Sequence, residues 1–370
     1  MTIGDSAIPA SVLRDRARGC LLGLAAGDAL GAPAENLTPA QITARWGRLT
    51  EVTGGGTDDT EYAIFAASLL VRHGRGLTSE DVVAAYRESV LPLISGPMKG
   101  AGFSELGAVE ALRRGLEPPL TGLWHQHGWS DGLAMRAASY GVFCPSEPLE
   151  AARLVEQDGR VSNAGEGILG GRAVAAGVAA AMGGATPAQA AEAALSAVPA
   201  DSWTGRSLRR AVDLVTAALA DQARADFRAG GAGADSRAGG AGADFQVGTA
   251  SAFFEAGTAG ATALGEALHE AVVVRHYPWT DLAPEAVALA FAAYLAGGGD
   301  VETSVVFGVS LGRDADTIGA IAGALAGAGQ GESGVPGRWA AQIGPVAGKC
   351  LPVVAGRHVL DVADELVKGL

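Results

Sequence analysis

Charge, cysteine and aromatic rings are all scarce in this 370-residue chain. Charged residues make up 18%, aromatics 5%, and there are three cysteines. Cys20, Cys144 and Cys350 lie far apart with no CxxC pair, which excludes a disulfide scaffold and a thiolate zinc site and points to a reducing compartment. No apolar run reaches the roughly 18 residues needed to span a bilayer; Ile318 to Ala328 holds eleven. The opening MTIGDSAIPASVLRDRARG has no apolar signal core, so the expectation is a soluble, cytoplasmic monomer. Positive charge is short as well, with 27 Lys and Arg against 40 Asp and Glu and a net charge of -13. A phosphate backbone or an anionic membrane surface is repelled by such a chain, which argues against nucleic-acid and membrane partners. A divalent cation is a natural guest.

What the chain has is small apolar residues. Hydrophobic residues reach 48%, with 55 glycines, and the alanine-rich, β-branch-poor balance favours helices over sheet. The length allows one large domain or two. Helical patterns run over 10–30, 60–73, 78–89, 104–114, 166–183, 187–197, 206–222, 284–296, 317–328 and 359–368. Strand signals are short: Val272 to Val274 and Ser304 to Phe307, both of which could also be helix ends. The segment 223–248 carries a nine-residue repeat with Asp226, Asp235 and Asp244 in register. It lacks the large apolar residue that a calcium-binding β-helix repeat requires, because Arg237 and Gln246 stand there. Composition makes it a flexible Gly/Ala insertion.

Three motif matches fail on context. Gly329 to Gly334 fits GxGxxG but follows a helix and runs into Pro336, whereas a dinucleotide site needs strand before and helix after. His269-Glu270 begins like HExxH, but the next histidine, His276, is at the wrong spacing. Gly308-Val-Ser310-Leu-Gly312 fits the esterase nucleophile elbow, yet the chain offers no run of buried strands to build the parallel sheet an elbow needs.

Two acidic clusters remain, each on a glycine turn and each leading into a helix. They are Thr57-Asp58-Asp59-Thr60 and Asp314-Ala315-Asp316-Thr317. One acidic residue caps a helix start; the second in each cluster is surplus to capping. Carboxylate and hydroxyl oxygens, without Cys or His, suit Mg²⁺, Mn²⁺ or Ca²⁺. If the two helix starts meet, Asp58, Asp59, Asp314 and Asp316 bring four negative charges together, which two divalent ions would balance. The second helix also has Gly319, Gly323 and Gly327 on one face, which permits close approach to a neighbour.

On these motifs the chain resembles the ADP-ribosylglycohydrolases. The resembling segments are GCLLGLAAGDALGAPAE (19–35), GGGTDDTEYAIFAASLL (54–70), SDGLAMRAASYGVF (130–143), RVSNAGEGILGGRAVAAGVAAA (160–181) and GDVETSVVFGVSLGRDADTIGAIAGALAGAGQG (299–331). The resemblance implies an all-α fold, a compact orthogonal multi-helix domain over 10–370. It implies a dinuclear centre of two Mg²⁺ (or Mn²⁺) ions held by Thr57, Asp58, Asp59, Asp314, Asp316 and Thr317. Glu35 matches a glutamate beside the metals and the scissile bond, so proton transfer falls to Glu35 or Asp316, with Asp59 alongside. Ser130, Asp131, Gly132 and Met135, together with Gly102, Phe103 and Asn163, fall on the ligand side. Phe103 and Trp129 offer faces for a base. The implied reaction is hydrolysis at C1″ of an ADP-ribosyl adduct, on a protein or a small ribosyl nucleotide; a non-catalytic ADP-ribose-binding descendant is the alternative. Three positions depart from the family pattern: Asp131 where Asn is common, Asn163 where His is common, and Arg313 before DADT. An extra carboxylate at 131 is unfavourable near a pyrophosphate unless a cation such as Arg136 offsets it.

Overall fold

The computed structural model describes residues 8–96, 98–230 and 259–370. Its helices are α1 (Ala10–Gly31), α2 (Pro39–Trp46), α3 (Asp58–His73), α4 (Ser79–Ala85), α5 (Phe103–Arg113), α6 (Leu120–Leu123), α7 (Gly132–Arg136), α8 (Ala138–Phe143) and α9 (Pro148–Ser162). They continue with α10 (Glu166–Met182), α11 (Pro187–Ser196), α12 (Trp203–Gly230), α13 (Ala259–Val272), α14 (Ala283–Ala296), α15 (Val301–Ser310), α16 (Ala315–Gln330), α17 (Gly337–Ala340) and α18 (Val359–Leu366). The fold is all-α. Among the described residues the one β feature is an isolated bridge between Ser130 and Leu282.

Neither strand signal forms a strand, and Val273 and Val274 are irregular chain after a helix end. Ser304 to Phe307 lies inside α15, and Val272 ends α13. α9 was not apparent in the sequence. Its apolar positions Ala151, Leu154, Val155 and Val161 are buried at helical spacing, but charged residues interleave them. α12 runs through Gly230, eight residues into the stretch read as an insertion; 231–248 lie outside the described residues.

Local signals explain the elements that matter for the site. Thr57 caps α3 by accepting from the Asp59 amide, acidic residues fill the first turn, Arg72 and His73 fill the last, and Gly74 at φ 61° stops the helix. That is the charge order the helix dipole favours. α14 and α16 are almost wholly buried, so they are apolar all round rather than amphipathic.

The centre of the molecule is the α1–α16 pair. α1 carries Gly19, Gly23, Gly27 and Gly31; α16 carries Gly319, Gly323 and Gly327, with Gly331 just beyond. The stripes face each other antiparallel: Gly19 meets Gly327 and Gly331, Gly23 meets Gly323, Gly27 meets Gly319, and Gly31 meets Ala315 and Asp316. A Cβ on any of these except Gly331, which faces the Asp15 side chain, would fall closer than 3.0 Å to backbone of the opposite segment. The backbones therefore touch, as in small-residue helix pairs in membranes, although no described helix is long and apolar enough to cross one.

This contact yields a signed prediction. Gly23→Ala or Gly323→Ala should destabilise by about 2–3 kcal/mol, since backbone cannot give way like a side chain. Gly329→Ala, on the same helix but with open space around it, should be neutral or stabilise by a few tenths of a kcal/mol. Urea denaturation of the three variants checks this; equal effects at positions 323 and 329 would contradict the packing account.

Candidate functional site

The glycine pairing fixes where three chain segments meet. It sets the end of α1, with Asp28 and then Glu35, against the start of α16. The start of α3 joins them through Asp28. This buried carboxylate belongs to α1 but serves α3: it accepts from the Thr57 amide at 2.8 and 2.9 Å, the Thr60 amide at 3.1 Å and the Thr60 hydroxyl. Asp28, Asp59 and Asp316 then each present an oxygen within 4.8 Å of the others, all buried.

These acids do more than cap helices. α3 is already capped by Thr57 and Asp28, and Asp314 at the start of α16 makes no capping hydrogen bond. Asp59 Oδ1 and Asp316 Oδ1 are buried with no hydrogen-bond partner. A buried carboxylate oxygen without a donor is costly. Two of them pointing into one acidic nest, with hard oxygen donors only, fit a divalent cation. Asp28 spends its lone pairs on α3, so it acts as the anchor, and Asp59 and Asp316 offer the free oxygens.

The electrostatics follow from crowding. Burial first, then the Glu105 charge, pushes Asp58 up to about 8; burial, then Glu35, pushes Asp316 up to about 7. Asp59 and Asp314 stand well above the usual carboxylate range, through burial and then Asp28 and Asp131 respectively. Glu35 is raised by desolvation in the cleft, opposed by the Asn36 amide, which donates to it at 2.9 Å.

A cavity of about 450 Å³ lies over this floor. Its wall gathers Glu35, Thr57, Asp58, Asp59, Asp314, Asp316 and Thr317 with Gly102, Phe103, Ser130, Asp131, Gly132 and Met135. Asp58 reaches out to accept from the Gly102 amide at 2.7 Å, which draws the loop before α5 onto the wall. Phe103 is half exposed and stacks on His127, ring centroids 4.6 Å apart. Trp129 is also half exposed but packs edge-on to Trp203, in an annex next to the cavity.

Two readings, those of Asn163 and Arg136, are corrected, and Arg313, Ser310 and His269 are placed. Asn163 does not line the cavity. It is buried behind the 128–130 loop, donating to the Ser130 carbonyl at 3.1 Å and the Gly128 carbonyl at 3.4 Å, so it shapes the loop rather than touching a ligand. Arg136 does not offset Asp131. It is buried in its own network, paired with Glu105 at 2.6 Å and Asp158 at 2.8 Å. Arg313, at φ 63°, turns away to Glu285 and the Trp279 carbonyl. Ser310 ends α15 and donates to the Phe307 carbonyl at 2.7 Å, off the cavity, which leaves no esterase elbow. His269 sits against the Leu311 carbonyl.

The sequence reading did not single out Asp28, Glu105 or Asp281, all of which belong to the site or its wall. Asp28 had a signal: it lies one residue beyond Gly27 on the α1 glycine stripe, inside a segment already noted. Asp281 stands on an irregular loop and had none.

The ADP-ribosylglycohydrolase family model matches residues 9–369. The chain belongs to that family. Among curated proteins it is 29% identical over 160 residues to the ADP-ribosyl-[dinitrogen reductase] glycohydrolase of Rhodospirillum rubrum, covering 41% of this chain and 52% of that protein. It is 30% identical over 179 residues to an uncharacterized protein of Archaeoglobus fulgidus, covering 45% and 55%. The chain thus spans about half the length of the curated relatives it matches. A solved structure described as an ADP-ribosylglycohydrolase-related protein complex superimposes with a TM-score of 0.58 at 26% identity, covering 97% of this chain and 99% of that one.

The acid cluster predicts how stability depends on pH. A carboxylate whose folded pKa is raised binds its proton more tightly in the folded state, so stability falls as pH rises from the unfolded value near 4 through the folded value. With Asp316 near 7 and Asp58 near 8, the metal-free protein should lose stability between pH 4 and 8. Added Mg²⁺ should raise Tm more at pH 8 than at pH 5. Thermal melts at both pH values, with and without Mg²⁺, check this; an equal Mg²⁺ effect at both would count against the site.

Proposed function

We propose that this chain is a divalent-metal-dependent glycohydrolase that cleaves the C1″ glycosidic bond of an ADP-ribosyl or related ribosyl adduct. The observation that carries this reading is the floor of the cavity: three buried carboxylates converge within 4.8 Å, and two of them keep an unpaired oxygen. The glycohydrolase activity for which the Rhodospirillum rubrum relative is named supports this reading.

Two Mg²⁺ or Mn²⁺ ions suit the donor set, with Asp59, Asp316, Asp58, Asp314, Thr57 and Thr317 as the holding residues and Asp28 as the anchor beneath. When bound, such ions supply positive charge that grips vicinal hydroxyls and eases deprotonation of water. The chain's own groups do the rest. The cavity wall encloses the ribose and limits water. Glu35 stands at the open rim, above the floor, with one oxygen oriented by the Asn36 amide. That position suits a group that passes a proton to or from the reacting water or leaving group. Asp316 lies on the buried floor with its free oxygen turned inward, which suits holding rather than shuttling. An oxocarbenium-like transition state gains from the surrounding carboxylates.

The two roles separate experimentally. Glu35→Gln should lower kcat by roughly 10²–10⁴-fold while leaving the Mg²⁺-induced rise in Tm intact. Asp316→Asn should abolish both activity and the Mg²⁺ effect. Hydrolysis of ADP-ribosylarginine, followed by release of ADP-ribose, and thermal melts with Mg²⁺ read these out. Full activity in Glu35→Gln would contradict its assigned role; full activity in Asp316→Asn would contradict the metal floor.

A further inference from the structure

Glu35 stands at the rim on the turn that follows α1, and a long side chain there is free to swing into solvent unless something holds it. The turn itself is seated on the residues that lead into α16. The Asn36 amide donates to the Arg313 carbonyl at 2.8 Å, and the Arg313 amide donates to the Leu37 carbonyl at 3.1 Å. Asn36 and Arg313 both take the left-handed conformation, at φ 62° and 63°. A Cβ on Gly312 would fall 2.2 Å from the Leu37 carbonyl oxygen, so the two segments lie in direct backbone contact.

The carboxylate has its own chain of bonds. Asn36 Nδ2 donates to Glu35 Oε1 at 2.9 Å, and Thr280 Oγ1 donates to Asn36 Oδ1 at 2.6 Å. The direction of the chain is fixed by chemistry. An ionised carboxylate only accepts, so Asn36 turns its NH₂ to Glu35 and its oxygen to Thr280, whose hydroxyl must then donate. Bonds running in one direction polarise and strengthen one another.

Thr280 reaches Asn36 from 244 residues away in sequence, and its loop is fastened on both sides. Arg313 Nη2 donates to the Trp279 carbonyl at 3.2 Å, and the same guanidinium pairs with the buried Glu285 of α14, which also accepts from the Val274 amide at 3.0 Å. On the other side the Asp131 amide donates to the Asp281 carbonyl at 2.9 Å and the Ala283 amide to the Trp129 carbonyl at 3.1 Å. Arg313 thus holds the Glu35 turn with its backbone and the Thr280 loop with its side chain, which sets the distance between them. Glu35, Asn36 and Thr280 all line the cavity.

We propose that Asn36 and Thr280 are positioning residues for Glu35: through them the 279–281 loop holds the Glu35 carboxylate at the cavity. This rests on the hydrolase reading above, in which Glu35 passes the proton, and adds what keeps it in place.

Hydrolysis of ADP-ribosylarginine with Mg²⁺ and crystallography of the variants test it together. Thr280→Val should lower kcat about fivefold, the worth of one neutral hydrogen bond, with KM little changed. Thr280→Ser keeps the hydroxyl and should keep the rate. Asn36→Gly retains the left-handed turn without the amide; it should lower kcat roughly tenfold, since its bond is to a charged group. Adding Thr280→Val to Asn36→Gly or to Glu35→Gln should cost nothing further, whereas general damage to the loop would persist in both backgrounds. Crystals of Thr280→Val should show the Asn36 and Glu35 side chains displaced above an unchanged floor. Full kcat in Thr280→Val, an equal loss in Thr280→Ser, additive losses in the double variants, or a Glu35 carboxylate that stays in place in the Thr280→Val crystal would overturn the positioning role. With a Mg²⁺-induced rise in Tm and turnover lost in Glu35→Gln, those outcomes overturn the positioning role alone. Full activity in Glu35→Gln, or a wild-type protein with neither turnover nor a Mg²⁺ effect, overturns the hydrolase reading as stated and the positioning role with it. The crystal decides the positioning role even where ADP-ribosylarginine is not turned over.

Discussion

Everything in the site depends on two helix backbones touching. Four glycines on α1 and three at matching steps on α16 bring the two backbones into direct contact. Because the pair is antiparallel, closeness along its length becomes alignment at its end, where Asp28 and Asp316 come together. A one-methyl wedge near the middle would separate the helices and, at their far end, the carboxylates. Rigidity here is a functional requirement, since acids that repel one another hold position only if the backbone beneath them cannot relax.

The acids in the first turn of α3 are each given different work. Asp58 holds the Gly102 amide and so the loop before α5. Asp59 turns to the floor. Glu61 faces the other way and collects the amides of Lys349, Cys350 and Leu351 at 2.8, 2.9 and 2.7 Å, which ties the C-terminal segment to the same helix. A further set of buried bonds supports the wall: the Ser130 hydroxyl donates to Ser104 at 2.6 Å, Ser104 to Glu105 at 2.6 Å, and Arg136 closes the network onto Glu105 and Asp158. The local helix-capping rules alone would not require so many acids. The arrangement makes sense as scaffolding for charge supplied from outside.

Much of this was legible in sequence because it is local. The helices rich in alanine, the glycine stripe on α16, and the paired Thr-Asp clusters each show within a single segment. The resemblance then named the partners that proximity alone could not. What stayed hidden is nonlocal. Asp28 gives no sign that it caps another helix, and Asp281 joins the wall only because a bridge to Ser130 brings its loop there. Asn163 and Arg136 were expected near the ligand from their neighbours in sequence. Helical and loop geometry instead turns Asn163 toward backbone and Arg136 into a buried ion-pair network. α9 was missed because its charged face masks a buried apolar one.

The central claim is that the cavity floor holds divalent cations. Crystals grown with Mn²⁺ and measured for anomalous scattering test it directly. The account predicts strong peaks on the cavity floor, coordinated by the oxygens that are now unpaired on Asp59 and Asp316 and by neighbouring Asp58, Asp314, Thr57 or Thr317. A floor with no peak, while Mn²⁺ appears elsewhere on the protein, would contradict it.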